Sequence, residues 1–314
     1  MTQRLVYLNG AFVPEEQARI SIFDCALMYG DMVFEMTRTF RQIPFRLDEH
    51  LDRLYDSLKY ARLDCGLSQA EMVAATHETL ERNSEALAGV DCQIMHNVTR
   101  GVIPVYDGIV PEGTGPVVTI NVFPLYRHVG GMVDRYETGV HFVVPPQQSV
   151  PARYLDPKAK TRSRLHYKIA ELQAAYMEEG AQALLTDEHG FVTEGTGNNF
   201  FMVRNGEVLT PRGRDILRGV SRGACLDLAR GLGIPVRETD IEPYDVRQAD
   251  EAWFTSTTIC MVPITRFDFH TIGDGSPGPV YRRILQAWSE QVGVDIVAQA
   301  RNLAAAGQNW SPES

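Results

Sequence analysis

Apolar residues recur along this chain with two periods, and each period marks a kind of element. From Met32 to Phe40 the period is two. The predicted strand carries Phe34, Met36, Arg38 and Phe40 on one face and Glu35, Thr37 and Thr39 on the other. An arginine among large apolar side chains has two readings: a strand-end cation reaching back to water, or a clamp for a carboxylate. The sequence leaves both open. From Leu47 to Leu63 the period lengthens to that of a helix, with Leu47, Leu51, Leu54 and Leu58 as its stripe. Ser68-Gln69-Ala70-Glu71 has the spacing of a capping box and predicts a second helix.

Leu5–Val13 reads as an opening hairpin around Asn9-Gly10, and Cys92–Arg100 and Val117–Leu125 read as strands. Residues 1–125 therefore alternate strands and helices, as a small α/β domain does. Tyr126–Thr138, with its Gly130-Gly131 pair, reads as a linker. Gly139–Pro145 then opens a larger carboxy-terminal domain, 139–314, so the fold class is α+β with two domains. Arg164–Met177 predicts a helix burying Leu165, Ile169, Leu172 and Tyr176. Val220–Leu232 is a helix closed by Gly233, and Glu251–Thr258 is a strand ending in hydroxyls. Pro279–Val292 is a helix started by proline. The last residues, Gly307–Ser314, read as a flexible tail.

The net charge of −10 argues against nonspecific binding to nucleic acid or to an anionic membrane. No apolar run is long enough to span a bilayer, and the amino terminus lacks a signal-peptide core. The five cysteines are scattered and form no CxxC pair, as expected of reduced thiols in a cytoplasmic protein without a metal site.

Candidate chemistry gathers in Thr186–Gly223. A turn at Asp187–Gly190 leads to a short strand ending in Glu194, beside Gly195 and Gly197. A hairpin then turns at Asn205-Gly206. Glu194 can offer a carboxylate to a bound ring. The helix start at Gly219-Val220-Ser221 offers backbone N–H groups and a hydroxyl to a phosphate. Together they suit a phosphorylated, nitrogen-bearing ring cofactor. Holding such a ring through an aldehyde needs a lysine. The chain has only four: Lys59, Lys158, Lys160 and Lys168. Lys59 and Lys168 lie in helices, where a solvated charge is the ordinary outcome. Lys158 and Lys160 share an extended segment, and spacing alone does not choose between them.

The pattern of Lys160, Asp187–Phe201 and Leu217–Arg222, with Tyr29–Glu35, Phe45–Leu54 and Phe254–Thr258, resembles the class IV aminotransferases. These are pyridoxal 5'-phosphate enzymes of fold type IV, and the likeness runs in order over nearly the whole chain. The resemblance implies a homodimer with the cofactor between two domains. It implies that Lys160 holds the cofactor covalently and acts as general acid and base. Glu194 pairs with the ring nitrogen; Arg53, Gly219, Val220, Ser221, Thr257 and Thr258 hold the phosphate; Tyr29, Phe34, Met36, Arg38 and Arg100 bind substrate, with Arg100 on its carboxylate.

The branch within the family is less defined. Phe34-Glu35-Met36-Thr37-Arg38 resembles the Phe-Glu-Gly-Ile-Arg pattern of branched-chain enzymes, with Met36 in place of glycine. Val98-Thr99-Arg100-Gly101 is more similar to D-amino-acid and amine transaminases. Lys160-Thr161-Arg162-Ser163-Arg164-Leu165 resembles the Lys-x-x-Asn-Arg-Leu of the aminodeoxychorismate lyase branch. The Asn-Tyr that meets the cofactor's phenolic oxygen in branched-chain enzymes is missing, and Arg164 or His166 stands near its place. The resemblance implies ping-pong transfer between an amino acid with an apolar side chain and a 2-oxo acid. D-amino-acid or R-selective amine transamination and lyase chemistry are the alternatives. A noncatalytic phosphate-ligand-binding protein is the reading from another class, against which the lysine upstream of Glu194 argues.

Overall fold

The protein is described here by a computed structural model covering residues 3–106, 108–109 and 114–308. Of the expected tail, residues 309–314 lie outside the described residues. The chain divides into two compact units.

The first unit contains β1 (Leu5–Leu8), β2 (Ala11–Pro14), α1 (Cys25–Tyr29), β3 (Met32–Phe40) and β4 (Ile43–Pro44). It continues through α2 (Leu47–Ala61), α3 (Gln69–Arg82), α4 (Ser84–Leu87), β5 (Cys92–Thr99) and β6 (Val117–Pro124). Its sheet has the order β2-β1-β6-β5-β3-β4, antiparallel throughout. The α2 stripe Leu47, Leu51, Leu54 and Leu58 is buried as its period predicts. It packs with Val33, Ile94, Val98, Val118, Ile120 and Val122 from one sheet face. The capping box at Ser68 and Glu71 is formed in both directions. Ala159–Arg164 also belongs to this unit, although the sequence division put it in the second. The reason is backbone pairing: Thr161 bridges Val33 on the edge of β3.

The second unit begins with Tyr126–Thr138, the expected linker. It is helical instead, as α5 (Tyr126–Val129), a 3-10 turn and α6 (Arg135–Thr138). There follow β7 (Val140–Val143), α7 (Leu165–Met177), β8 (Gln182–Thr186), β9 (Val192–Gly195), β10 (Asn199–Arg204) and β11 (Glu207–Pro211). Then come α8 (Val220–Gly231), β12 (Val236–Thr239), α9 (Pro243–Arg247), β13 (Glu251–Ser256), β14 (Cys260–Phe267), β15 (His270–Thr271), α10 (Pro279–Val292) and α11 (Ile296–Gln308). The sheet runs β12-β11-β10-β13-β14-β7-β8-β9, and β9 also pairs with β10, which closes it into a barrel. At the β10–β11 turn Asn205 and Gly206 both take positive φ, 51° and 75°, as a two-residue hairpin requires.

The helix α7 departs from expectation. Leu165 is 73% exposed and Tyr176 95%, and Ile169 and Leu172 are exposed as well. The buried face is instead Ala170 and Ala174, packed with Val143, Ala183 and Leu185. Small side chains let this helix lie close to the sheet, and that contact sets its rotation. Among the described residues no helix is long and apolar enough to cross a membrane. All five cysteines are buried and none is in a disulfide.

Candidate active site

In the first unit the site is built on the sheet face turned away from the leucine core. Phe34 N–H donates to the Lys160 carbonyl and Arg162 N–H to the Met32 carbonyl, each at 3.0 Å, around the Val33–Thr161 bridge. Strand alternation then puts Lys160 and Arg162 on the face of Phe34, Met36 and Arg38. The Lys160 ammonium nitrogen lies 4.7 Å from the centre of the Phe34 ring. On its other side the Lys160 N–H donates to Ser57 Oγ at 3.0 Å, and that hydroxyl donates to the Arg53 carbonyl at 2.8 Å. Ser57 was not foreseen. A serine buried one turn after Leu54, on the core side of α2, is the signal that could have found it. In the second unit, by contrast, Lys158 Nζ contacts Asp156 and donates to the Arg214 carbonyl, both at 2.8 Å. Lys158 is thus held by a carboxylate and a carbonyl, whereas Lys160 faces an aromatic ring.

Opposite Phe34, Met36 and Arg38 on β5 stand Asn97, Met95 and Gln93. Arg38 is 2% exposed, so it does not reach out to water. Its guanidinium lies 3.8 Å above the Phe40 ring, and its Nε donates to the Thr39 carbonyl. Glu35 points the other way, into the core. Arg53 donates to it through Nε at 2.8 Å and Nη2 at 2.7 Å, and His50 Nδ1 approaches at 3.1 Å. Burial would raise the Glu35 pKa, but Arg53 and His50, by charge and hydrogen bond, hold it well below the usual carboxylate value. Burial depresses the His50 pKa against the pull of Glu35.

Two expected substrate residues stand elsewhere. Tyr29 is exposed at the end of α1. Arg100 pairs with Asp31 and donates to the Ala61 carbonyl at 2.8 Å and the Arg62 carbonyl at 3.1 Å, which caps the end of α2. In this structure its guanidinium caps the last carbonyls of α2, contacts that strand-end position could not reveal. Arg100→Leu is expected to lower unfolding stability in urea by about 1 kcal/mol, the pair being partly open to solvent. Unchanged stability with selective loss of activity on amino acids would return Arg100 to substrate binding.

In the second unit Glu194 is buried at the end of β9. Its Oε1 accepts from the Tyr167 hydroxyl at 2.8 Å. Its Oε2 accepts from Asn199 Nδ2 at 2.9 Å and from the Leu217 N–H at 3.0 Å. These three donors fix the carboxylate's orientation. Tyr167 and Asn199 were not foreseen as its partners. Asn199 faces Glu194 on β9 and Thr255 on β13 in register, so the three form a row across the closing strands. A Cβ on Gly219 would come within 2.1 Å of Asn199 Oδ1, so only glycine lets α8 start this close. No side chain caps that start, and the first N–H groups of α8 at Val220 and Ser221 lack intrahelical acceptors. Thr255 Oγ1 is buried and, among the described residues, without a hydrogen-bond partner. Thr257 and Thr258 occupy the turn after β13. An oriented carboxylate, uncapped N–H groups, a glycine-only approach and an orphaned hydroxyl form a donor set that fits a phosphorylated pyridine. Among the described residues no cluster suits a metal ion.

The family described as Amino-transferase class IV matches residues 32–267. A protein of Methanocaldococcus jannaschii provisionally named a branched-chain-amino-acid aminotransferase is 35% identical over 91% of this chain and 95% of its own. The D-alanine aminotransferase of Bacillus licheniformis is 30% identical over 91% of this chain and 96% of its own. The solved T.th. branched-chain amino acid aminotransferase with pyridoxamine 5'-phosphate superposes with a TM-score of 0.83. It is 29% identical over 93% of this chain and 95% of its own.

Proposed function

The chain belongs to the class IV aminotransferases and is a pyridoxal-phosphate-dependent transaminase of fold type IV; from that premise we propose that its donor is an α-amino acid with a branched apolar side chain and its acceptor a 2-oxo acid. The carrying observation is the strand face that Lys160 shares, where the half-buried Met36 and Met95 pair across β3 and β5 as an apolar wall. The names of the Methanocaldococcus jannaschii relative and of the T.th. structure point the same way, and that of the Bacillus licheniformis relative to D-alanine. The cofactor supplies, when bound, an aldehyde that takes up an amino group and a ring that withdraws electrons from the substrate's α-carbon.

Lys160 would hold that aldehyde carbon and then carry the proton to and from the α-carbon. Glu194 would pair with the ring nitrogen and favour its protonated form. Gly219, Val220, Ser221, Thr257 and Thr258 would hold the phosphate, with Arg53. Arg53 would do so with its charge balanced by Glu35. A screen with 2-oxoglutarate as acceptor tests the substrate reading. Leucine or valine is expected to exceed an aryl-alkyl amine and D-alanine by at least about tenfold in kcat/KM, or about 1.4 kcal/mol in transition-state binding. Dominant activity on the amine or on D-alanine would reject it.

The protein works as a cytoplasmic homodimer in this proposal. On α7 the exposed Leu165, Ile169, Leu172 and Tyr176 make an apolar stripe of the kind a monomer rarely leaves to water. The buried thiols suit a reducing compartment. Leu172→Lys with Tyr176→Lys is expected to shift the sedimentation coefficient from dimer to monomer at micromolar concentration. A wild type that sediments as a monomer rejects the dimer.

A further inference from the structure

Three cations surround the Phe34 ring. Arg162 lies closest, its guanidinium carbon 3.6 Å from the ring centre, with the Lys160 amine at 4.7 Å and Arg164 at 4.8 Å. Arg162 and Lys160 face the same way, because they are alternate residues of one extended segment paired to β3. Arg162 differs in its partners from several other arginines of the chain. Arg53 has Glu35, Arg100 has Asp31 and Arg222 has Glu238. Among the described residues no carboxylate pairs with Arg162, and its hydrogen bond goes to Met95 Sδ at 2.9 Å, a weak acceptor. Arg162 remains exposed to solvent. Partial burial and the neighbouring Arg164 press its pKa down to about 10, the effect expected of a cation held near like charge without an anion.

We propose that Arg162 receives the α-carboxylate of the substrate. The inference rests on the reading of Lys160 as the lysine that holds the cofactor. A guanidinium whose carbon lies 3.6 Å from the centre of the Phe34 ring offers its N–H groups as a fork, the geometry that binds carboxylates through two hydrogen bonds. Strand alternation keeps that fork next to the reacting amine, where the carboxylate of any α-amino or 2-oxo acid must come. Specificity for acids over simple amines then resides in Arg162, two residues beyond the lysine, and not in Arg100. The half-buried Met36 and Met95 on the same face are left to take the side chain.

The test uses holoenzyme and 4-methylpentanoate, a carboxylate with a branched chain and no amino group, titrated by calorimetry. Arg162→Leu is expected to raise its Kd by roughly 30-fold or more, the loss typical of one charge-assisted carboxylate contact. Arg162→Lys should recover part of that loss, since an ammonium restores the charge without the fork. Arg230→Leu, which removes an equal charge from the exposed face of α8, should bind the acid as wild type does. Melting temperatures of all variants report whether the fold is kept, and borohydride reduction reports which lysine carries the cofactor. If Lys160 is labelled and Arg162→Leu binds the acid as tightly as wild type, the inference is overturned. Equal weakening in Arg230→Leu overturns it too, because net charge would then be the cause. If another lysine carries the label, the reading of Lys160 fails first and the inference falls with it.

Discussion

Replacing Lys160 with alanine is expected to abolish transamination while leaving the cofactor bound only noncovalently. The expectation follows from what a lysine does for such a reaction. Its amine holds the aldehyde carbon until substrate displaces it, and then moves the proton of the α-carbon. Lys160 is anchored for this task on both sides of its backbone, by Ser57 Oγ and by the Phe34 N–H. Its side chain lies over an aromatic face, whereas that of Lys158 is held against Asp156. Borohydride reduction and peptide mapping should therefore find the cofactor on Lys160 in the wild type, and on no lysine in Lys160→Ala. Lys158→Ala should keep the label and most of the turnover. A label that survives Lys160→Ala and vanishes in Lys158→Ala would reverse the assignment.

Glu194→Gln is expected to lower kcat by about 100-fold or more with cofactor content nearly unchanged. The substitution keeps size and removes the charge that favours a protonated ring nitrogen, so the electron-withdrawing power of the ring falls. The surroundings tolerate it. A glutamine oxygen can still accept from Asn199 and Leu217, and the Tyr167 hydroxyl can turn from donor to acceptor against the new amide. The start of α8, which would hold the phosphate, is untouched by the change. Stopped-flow single turnovers, with cofactor released in alkali and quantified, separate the loss of chemistry from loss of binding. Near-normal turnover would remove Glu194 from the role of ring-nitrogen partner.

Much of this site could be read before any fold was known, because it depends on local spacing. The Met32–Phe40 alternation separated Phe34, Met36 and Arg38 from Glu35, and the structure keeps that separation with the core on Glu35's side. Gly219-Val220-Ser221 opens a helix whose start no side chain caps. Asn205-Gly206 turns a hairpin in the conformation its residues favour. The partners of those residues were hidden. Ser57, Tyr167 and Asn199 are ordinary polar residues in sequence. They acquire meaning only when α2 meets the Lys160 segment, and when Tyr167 and β10 meet Glu194.

The sequence by itself determined most of the regular elements and the short list of lysines, since each rests on local spacing, and it brought Glu194 and the Gly219–Ser221 helix start together as a reading of the cofactor. Tertiary structure decided the rest. The apolar period of α7 is equally consistent with its stripe facing in or out. Contact through Ala170 and Ala174 turned Leu165, Ile169, Leu172 and Tyr176 to solvent. Arg100 stands at a strand end in either reading, but only folding brings Asp31 and the last carbonyls of α2 to its guanidinium. Lys158 and Lys160 have the same parity along an extended segment. What distinguishes them is the bridge between Val33 and Thr161, residues 128 positions apart. Side chains alternate along paired strands, so slipping that bridge by one residue would turn both Lys160 and Arg162 away from Phe34.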